Sequence, residues 1–109
     1  MPAISCQEIK TLLQQGGQLV DVRSPLEFSR GALQGAINIP MQSIYSAANL
    51  LDLQKPVMVY CHSGIRSANA KTWLLSMGFQ VVVDLSSPYH IVDCIELIEQ
   101  HYRQAGRNP

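Results

Sequence analysis

Pro56-Val57-Met58-Val59-Tyr60 is an apolar run with no polar alternation, and its length is that of a strand rather than a helix. A strand with one face in water alternates between apolar and polar residues. One without alternation is buried on both faces, as in the middle of a parallel sheet. Parallel neighbours cannot be joined by a hairpin; they need a crossover, usually a helix. The run therefore requires the rest of the chain to supply strands and helices in turn.

The flanking sequence does so. Ser5 with Glu8 three residues later is a capping-box signature, Ile9, Leu12 and Leu13 give that helix an apolar face, and Gly16-Gly17 end it. Leu19–Val22 reads as a strand. Ser24-Pro25-Leu26-Glu27 opens a second helix, with proline at the first helical position, and Gly31 and Gly35 keep it short. Ala36–Ile39 is a brief strand stopped by Pro40, and residues 41–53 are weakly helical at best. After the apolar run comes a helix from about Arg66 to Met77, carrying Ala70, Trp73, Leu74 and Met77 on one side and capped by Gly78. Trp73 and Met77 are read as core. Phe79–Leu85 is a further buried strand. A last helix places Ile91, Ile95, Ile98 and Tyr102 on one stripe and ends near Gly106. Alternation of this kind predicts an α/β fold with a parallel sheet and helices on both faces. In such sheets ligands bind at the carboxyl ends of the strands, which points to residues 61–66.

Composition narrows the function classes. The chain has 109 residues, enough for one domain over residues 1–109, and eight basic residues balance eight acidic ones. Scattered, balanced charge gives no footprint for nucleic acid or an anionic membrane. No apolar run approaches the roughly 20 residues of a membrane helix, and Met1–Glu8 lacks the basic and apolar regions of a secretory signal. Three cysteines, Cys6, Cys61 and Cys94, are odd in number, far apart and without a CxxC pair. That spacing suggests neither a disulfide framework nor a zinc site. The expectation is a reduced, cytoplasmic protein, with Cys6 and Cys94 packing on apolar helical faces.

Cys61 is different. Val59-Tyr60-Cys61-His62-Ser63-Gly64-Ile65-Arg66-Ser67 leaves a buried strand and enters a helix within a few residues. A free thiol has a pKa of about 8.5, so little of it is thiolate at neutral pH. Lowering that by about 2 units takes about 2.7 kcal/mol of preference for the anion. A helix N-terminus supplies typically about 0.3–1 kcal/mol. Hydrogen bonds to a charged group supply about 1.5–3 kcal/mol each, so two or three amides aimed at the sulfur outweigh the dipole. Gly64 permits such an inward-pointing ring, and Arg66 adds a fixed positive charge for an anionic substrate. Cys61 is the candidate nucleophile. His62, its neighbour on a tight loop, reads as a solvent-facing histidine rather than half of a Cys–His dyad, since no orienting group is evident.

Cys61-His62-Ser63-Gly64-Ile65-Arg66-Ser67 resembles the Cys-x-x-Gly-x-Arg-Ser active-site loop of the rhodanese family. Leu19–Phe28 resembles that family's first conserved block, Gly31–Pro40 the second, and Lys55–Tyr60 the strand before the loop, so the similarity runs in order over roughly residues 5 to 85. The resemblance implies a three-layer fold around a mostly parallel sheet of about five strands. It also implies a sulfurtransferase that works without metal or organic cofactor. Cys61 would take the outer sulfur of a small anionic donor, thiosulfate or a persulfide, and pass it to cyanide, a thiol or a protein acceptor. Arg66 would bind the donor's charged end, and His62, Ser63, Gly64 and Ile65 would shape the pocket largely through backbone N–H groups. Asp21, Arg23 and Ser67 are supporting residues: Arg23 with Glu27 reads as a structural ion pair, and Ser67 equally as a hydrogen-bond donor that steadies the loop or as a plain helix serine. The chain departs from the family at two places, with Gly31-Ala32-Leu33 where Gly-His-Ile is usual and Ser86-Ser87-Pro88-Tyr89-His90 near a usual Gly-Gly pair. Both are expected to reshape the mouth of the pocket.

Two other readings compete. A cysteine phosphatase or arsenate reductase conventionally places five residues between cysteine and arginine, whereas four separate Cys61 from Arg66. The shorter loop fits a sulfur atom rather than a tetrahedral oxyanion. A persulfide carrier or interaction module is the alternative from another class, although domains that serve only for interaction often lack the cysteine kept here.

Overall fold

A computed structural model describes residues 4–105. Both capping boxes form. Ser5 accepts from the Glu8 amide while Glu8 reaches back to the Ser5 N–H, starting α1 (Cys6–Gln14). Ser24 and Glu27 do the same for α2 (Pro25–Ser29). Four strands, β1 (Gln18–Asp21), β2 (Ile37–Asn38), β3 (Val57–Tyr60) and β4 (Val82–Ser86), make one sheet in the order β2-β1-β3-β4, every pairing parallel. The apolar run is thus an inner strand, and all four of its residues are buried.

Alternation along β3 divides the core. Val57, Val59 and Cys61 join Val20, Val22 and Ile39 in a cluster with Ala70 and Leu74 of α4 (Ile65–Ser76). Met58 and Tyr60 join a second cluster with Ile9 and Leu13 of α1 and Ile98 of α5 (Ile95–Ala105). Helices therefore cover both faces, as the parallel sheet required. Residues 41–50, left open by the sequence, wind as a 3₁₀ segment (Met41–Ser46) and one turn of helix, α3 (Ala47–Leu50).

Several expectations need correction. The described residues hold four strands rather than about five, because the connections between strands are taken up by helical turns. The strand expected over 79–85 starts only at Val82; Phe79 is buried, but as a plug between α4 and the sheet. Trp73 is 54% exposed rather than core, since the buried stripe of α4 runs through Ser67, Ala70 and Leu74 and leaves Trp73 on its flank. The last helix begins at Ile95: Pro88–Cys94 is 3₁₀ with a non-helical break at Ile91. Ile91 nevertheless packs with Ile98, and Ile95 and Tyr102 lie against the same cluster. The expected end near Gly106, and Met1–Ala3 of the N-terminal segment, lie outside the described residues.

The largest departure concerns the cysteines. Cys6 and Cys94 form a disulfide, with Cα atoms 5.3 Å apart across a sequence separation of 88. The start of α1 meets the end of the 3₁₀ segment there, a juxtaposition that sequence spacing does not encode. The cysteine pattern thus no longer argues for a fully reduced chain. No helix among the described residues is long and apolar enough to cross a membrane.

Candidate active site

The chain leaves β3 at Tyr60, and Cys61 is the next residue. Its backbone N–H donates to Ser86 O at 2.9 Å, so the end of β4 fixes where the loop begins. At that end β4 skips a residue: Val59 faces Asp84 but Tyr60 faces Ser86, and Ser86 adopts a φ of 67°. This left-handed, non-glycine residue stands where the family resemblance expects glycine. Its amide donates to Asp84 Oδ1 at 2.7 Å, a local bond that helps hold the turn.

Gly64 closes the loop. It is the N-cap of α4 with a φ of 96°, a conformation that costs residues with a Cβ about 1–2 kcal/mol. In that conformation the Gly64 N–H donates to Cys61 Sγ at 2.9 Å, and the Ser67 N–H follows at 3.4 Å. The thiol donates to Ser67 Oγ at 3.4 Å, while the Ser67 hydroxyl donates to Gly64 O at 3.1 Å. On loss of the thiol proton the hydroxyl can turn to donate to sulfur. Burial is the largest single influence on Cys61 and pushes its pKa up. The Ser67 hydroxyl and the amides of Ser67, Gly64 and Ser63 together outweigh it and hold the thiol below its ordinary value. Hydrogen bonds to the sulfur thus lower the pKa.

Cys61 is the one cysteine outside the disulfide. It lines a cavity of about 410 Å³ together with Arg23, Gly31–Leu33, Tyr60, His62, Pro88 and Tyr89. Both departures from the family pattern, 31–33 and 86–90, therefore contribute to the walls around the sulfur, as expected. His62 is exposed and meets Tyr89 edge-on, with ring centroids 6.3 Å apart, which fits the loop-histidine reading. Ser63 and Ile65 are exposed as well, so of the loop side chains only those of Cys61 and Ser67 are buried.

The ion pairs differ from the expected one. Arg23 does not pair with Glu27. Its Nε and Nη2 grip the buried Asp21 carboxylate, the shortest contact being 2.7 Å, and Nη2 also donates to Gly31 O at 2.7 Å. Glu27 instead takes Arg66, Nη1 to Oε1 at 2.6 Å and Nη2 to Oε2 at 3.0 Å. The two hydrogen bonds from Arg66, with the Ser24 amide, hold Glu27 down at about 2. Arg66 is raised chiefly by its hydrogen bonds to Glu27, with a smaller coulombic contribution from Cys61. It is not among the residues lining the cavity.

Tyr60 is a site residue that the sequence reading passed over. Its ring is buried, and its hydroxyl accepts from the Leu33 N–H at 3.0 Å, tying the 31–33 segment to the strand before the nucleophile. The available signal was a tyrosine ending a fully buried strand, since a buried phenol needs a partner. Asn38 is another: its Nδ2 donates to Asp21 O and Arg23 O, both at 2.9 Å, and so fixes the turn that carries Arg23.

Comparison with known proteins agrees with this geometry. The rhodanese-like domain family model matches residues 5–90. A Haemophilus influenzae protein named thiosulfate sulfurtransferase GlpE is 32% identical over 82 residues, covering 75% of this chain and 78% of that one. Among solved structures, a rhodanese with anions from E. coli is 36% identical over 62% of this chain and 82% of its own, with a TM-score of 0.59. A rhodanese-related protein from Thermoplasma volcanium superposes over 89% of this chain and 93% of its own, with a TM-score of 0.66 at 28% identity. With the family model matching residues 5–90 and a parallel sheet like that of its solved relatives, the chain belongs to the rhodanese-like domain family.

Proposed function

We propose that the protein is a sulfurtransferase that carries sulfane sulfur on Cys61, from thiosulfate or a small persulfide to a thiophilic acceptor. The observation that carries this reading is the donor set around Cys61 Sγ, Gly64 N at 2.9 Å and Ser67 N at 3.4 Å, at a wall of an open cavity. Such a site stabilises an anionic sulfur without a carboxylate or an imidazole base.

The Cys61 thiolate attacks the outer sulfur of thiosulfate, a new S–S bond forms, and the old one breaks with its electron pair leaving on sulfite. The charge of the thiolate passes to the outer sulfur of the Cys61 persulfide, where fixed amide dipoles favour it. Cyanide or a thiolate then attacks that outer sulfur, giving thiocyanate or a new persulfide and returning the Cys61 thiolate. Arg66 supports the loop from outside: its bidentate bond to Glu27 ties the first turn of α4 to α2. The four-residue spacing from Cys61 to Arg66 disfavours phosphate as substrate.

The test is thiosulfate:cyanide sulfur transfer by the wild type and Cys61→Ser, with intact mass measured after donor treatment. Turnover and a one-sulfur mass increment that both vanish in the variant are the expected result. A mass increment without turnover identifies a persulfide carrier instead. Neither signal from a folded protein refutes sulfur chemistry at this site, and Cys61-dependent hydrolysis of an aryl phosphate replaces it with phosphatase chemistry.

A further inference from the structure

We infer that Arg23, rather than Arg66, is the cation that meets the anionic end of the sulfur donor, through its Nη1 edge; this rests on the sulfurtransferase reading and specifies how the donor is recognised. Each arginine of the site has an acid partner, but the two pairs are built differently. Arg66 spends both Nη atoms on the two oxygens of Glu27, in a pair whose side chains are 36% and 37% exposed. What it presents outward is a neutralised fork beside solvent, away from the cavity lining.

Arg23 is held by one edge only. Nε and Nη2 face Asp21, which is wholly buried behind it, and Nη2 also reaches Gly31 O. Nη1 takes part in none of the side-chain hydrogen bonds of Arg23, which run through Nε and Nη2, although the Tyr60 side chain also acts on this arginine. No buried side-chain nitrogen or oxygen in the described structure lacks a partner, so Nη1, in a side chain 15% exposed, is open to solvent. The side chain lines the cavity shared with Cys61, with Cζ 5.8 Å from the centroid of the Tyr60 ring.

The consequence is an oriented pair. Its negative end is sealed in the protein, and on this assignment its positive end offers the two Nη1 N–H groups to a donor in the cavity that Arg23 and Cys61 both line. The fork is fixed before binding by Asp21, Gly31 and the Tyr60 face, so little side-chain freedom is lost when an anion docks. A sulfonate-like end, with several acceptor oxygens, suits those donors. The assignment predicts a preference for anionic over neutral donors of similar size.

Alkylation of Cys61 tests this independently of sulfur transfer. Iodoacetate and iodoacetamide react with the same thiolate by displacing iodide, so the ratio of their rate constants cancels any change in thiol pKa and leaves the charge recognition. Asp21→Asn/Arg23→Gln removes both charges of the buried pair and leaves polar, hydrogen-bonding side chains at both positions. Glu27→Gln/Arg66→Gln does the same for the exposed pair and keeps the cap of α2. Losing a partly exposed charged hydrogen bond is expected to lower the iodoacetate:iodoacetamide ratio about tenfold in the first variant. The thiosulfate KM should rise by a similar factor with kcat held. The second variant should keep the ratio within about twofold. A ratio that falls only in the second variant, or in neither, overturns the assignment. Should the first variant not fold, the second decides alone, since a collapse of its ratio makes Arg66 the anchor and retention supports Arg23. A tenfold fall in the first variant, in a protein that shows no sulfur turnover, keeps Arg23 as the anion anchor while the sulfurtransferase reading fails.

Discussion

Replacing Gly64 with alanine tests how the nucleophile loop is built. Two costs are distinguishable in the structure. Backbone at a φ of 96° costs an alanine about 1–2 kcal/mol. A Cβ there also runs into Ser86 Oγ, well inside contact distance, although Ser86 Cβ at 3.5 Å is an ordinary neighbour. Turning the Ser86 hydroxyl away therefore relieves the clash, for at most about 0.5–1.5 kcal/mol if it must leave a rotamer well. If the loop keeps its shape, the variant should lose about 1–3 kcal/mol of stability and keep its thiol titration. If the loop relaxes to escape the strain, the Gly64 N–H leaves Cys61 Sγ, a charged hydrogen bond of about 1.5–3 kcal/mol is lost, and the thiol rises by one to two pKa units. Urea denaturation and the pH dependence of Cys61 alkylation, run on the same samples, read both quantities. Adding Ser86→Gly should recover the clash part and leave the backbone part. An unchanged unfolding midpoint together with an unchanged alkylation profile would refute the loop geometry as the source of the lowered thiol pKa.

Ser67→Ala removes the side-chain hydroxyl that helps hold Cys61 low, so the acidic limb of alkylation and turnover should move to higher pH by about one unit, with rates converging well above it. Ser86→Gly alone should be neutral to stabilising by up to about 1 kcal/mol, because a residue at a φ of 67° is relieved of its Cβ; a marked loss in thermal unfolding would contradict that. The double variant Cys6→Ser/Cys94→Ser opens a link across 88 residues and should cost about 2–5 kcal/mol in chemical denaturation, a chain-entropy effect that equal stability would disprove. Glu27 is held at about 2 against an ordinary 4.5, chiefly by Arg66, so its contribution is present above 4.5 and lost as the pH falls towards 2. Being exposed, the pair is worth at most about 1 kcal/mol, so wild type and Glu27→Gln should differ by no more than that near neutrality, and the difference should disappear in acid.

What the sequence disclosed follows from the range of each interaction. Ser5–Glu8 and Ser24–Glu27 form caps because their partners lie three residues apart, and the apolar 57–60 run announces its own burial. Gly64 was readable because the loop needed backbone angles that few other residues adopt. The arginine pairing was misread. Arg23 and Glu27 stand four apart, but Arg23 precedes the N-cap of α2, where helical spacing does not apply. Its own backbone N–H donates to Asp21 Oδ1 at 2.8 Å, an Asx-type turn that brings the side chain back onto that carboxylate. Glu27 and Arg66 meet across 39 residues and Cys6 and Cys94 across 88, and no local pattern records either meeting. Ser86 hid for the opposite reason: its left-handed φ is a local property, but serine does not advertise it.

The placement of the three cysteines bears on where sulfur carried on Cys61, as proposed above, could go. Alternation along β3 sends Cys61 into the cluster beneath α4, whereas Cys94 packs with Met58, Tyr60 and Ile98 in the cluster beneath α1 and α5, and Cys6 lies against it. Cys6 and Cys94 are also bonded to each other, so neither offers a thiol to resolve Cys61. On that proposal a second nucleophile is expected to arrive from outside, through the cavity that Ala32, Leu33, Pro88 and Tyr89 line. Two of those residues belong to the 3₁₀ segment that the disulfide ties to α1. The bond ties to α1 the segment that supplies Pro88 and Tyr89 to the cavity, and on the proposed reading the selectivity for acceptors is expected to follow the two segments in which this chain departs from its family.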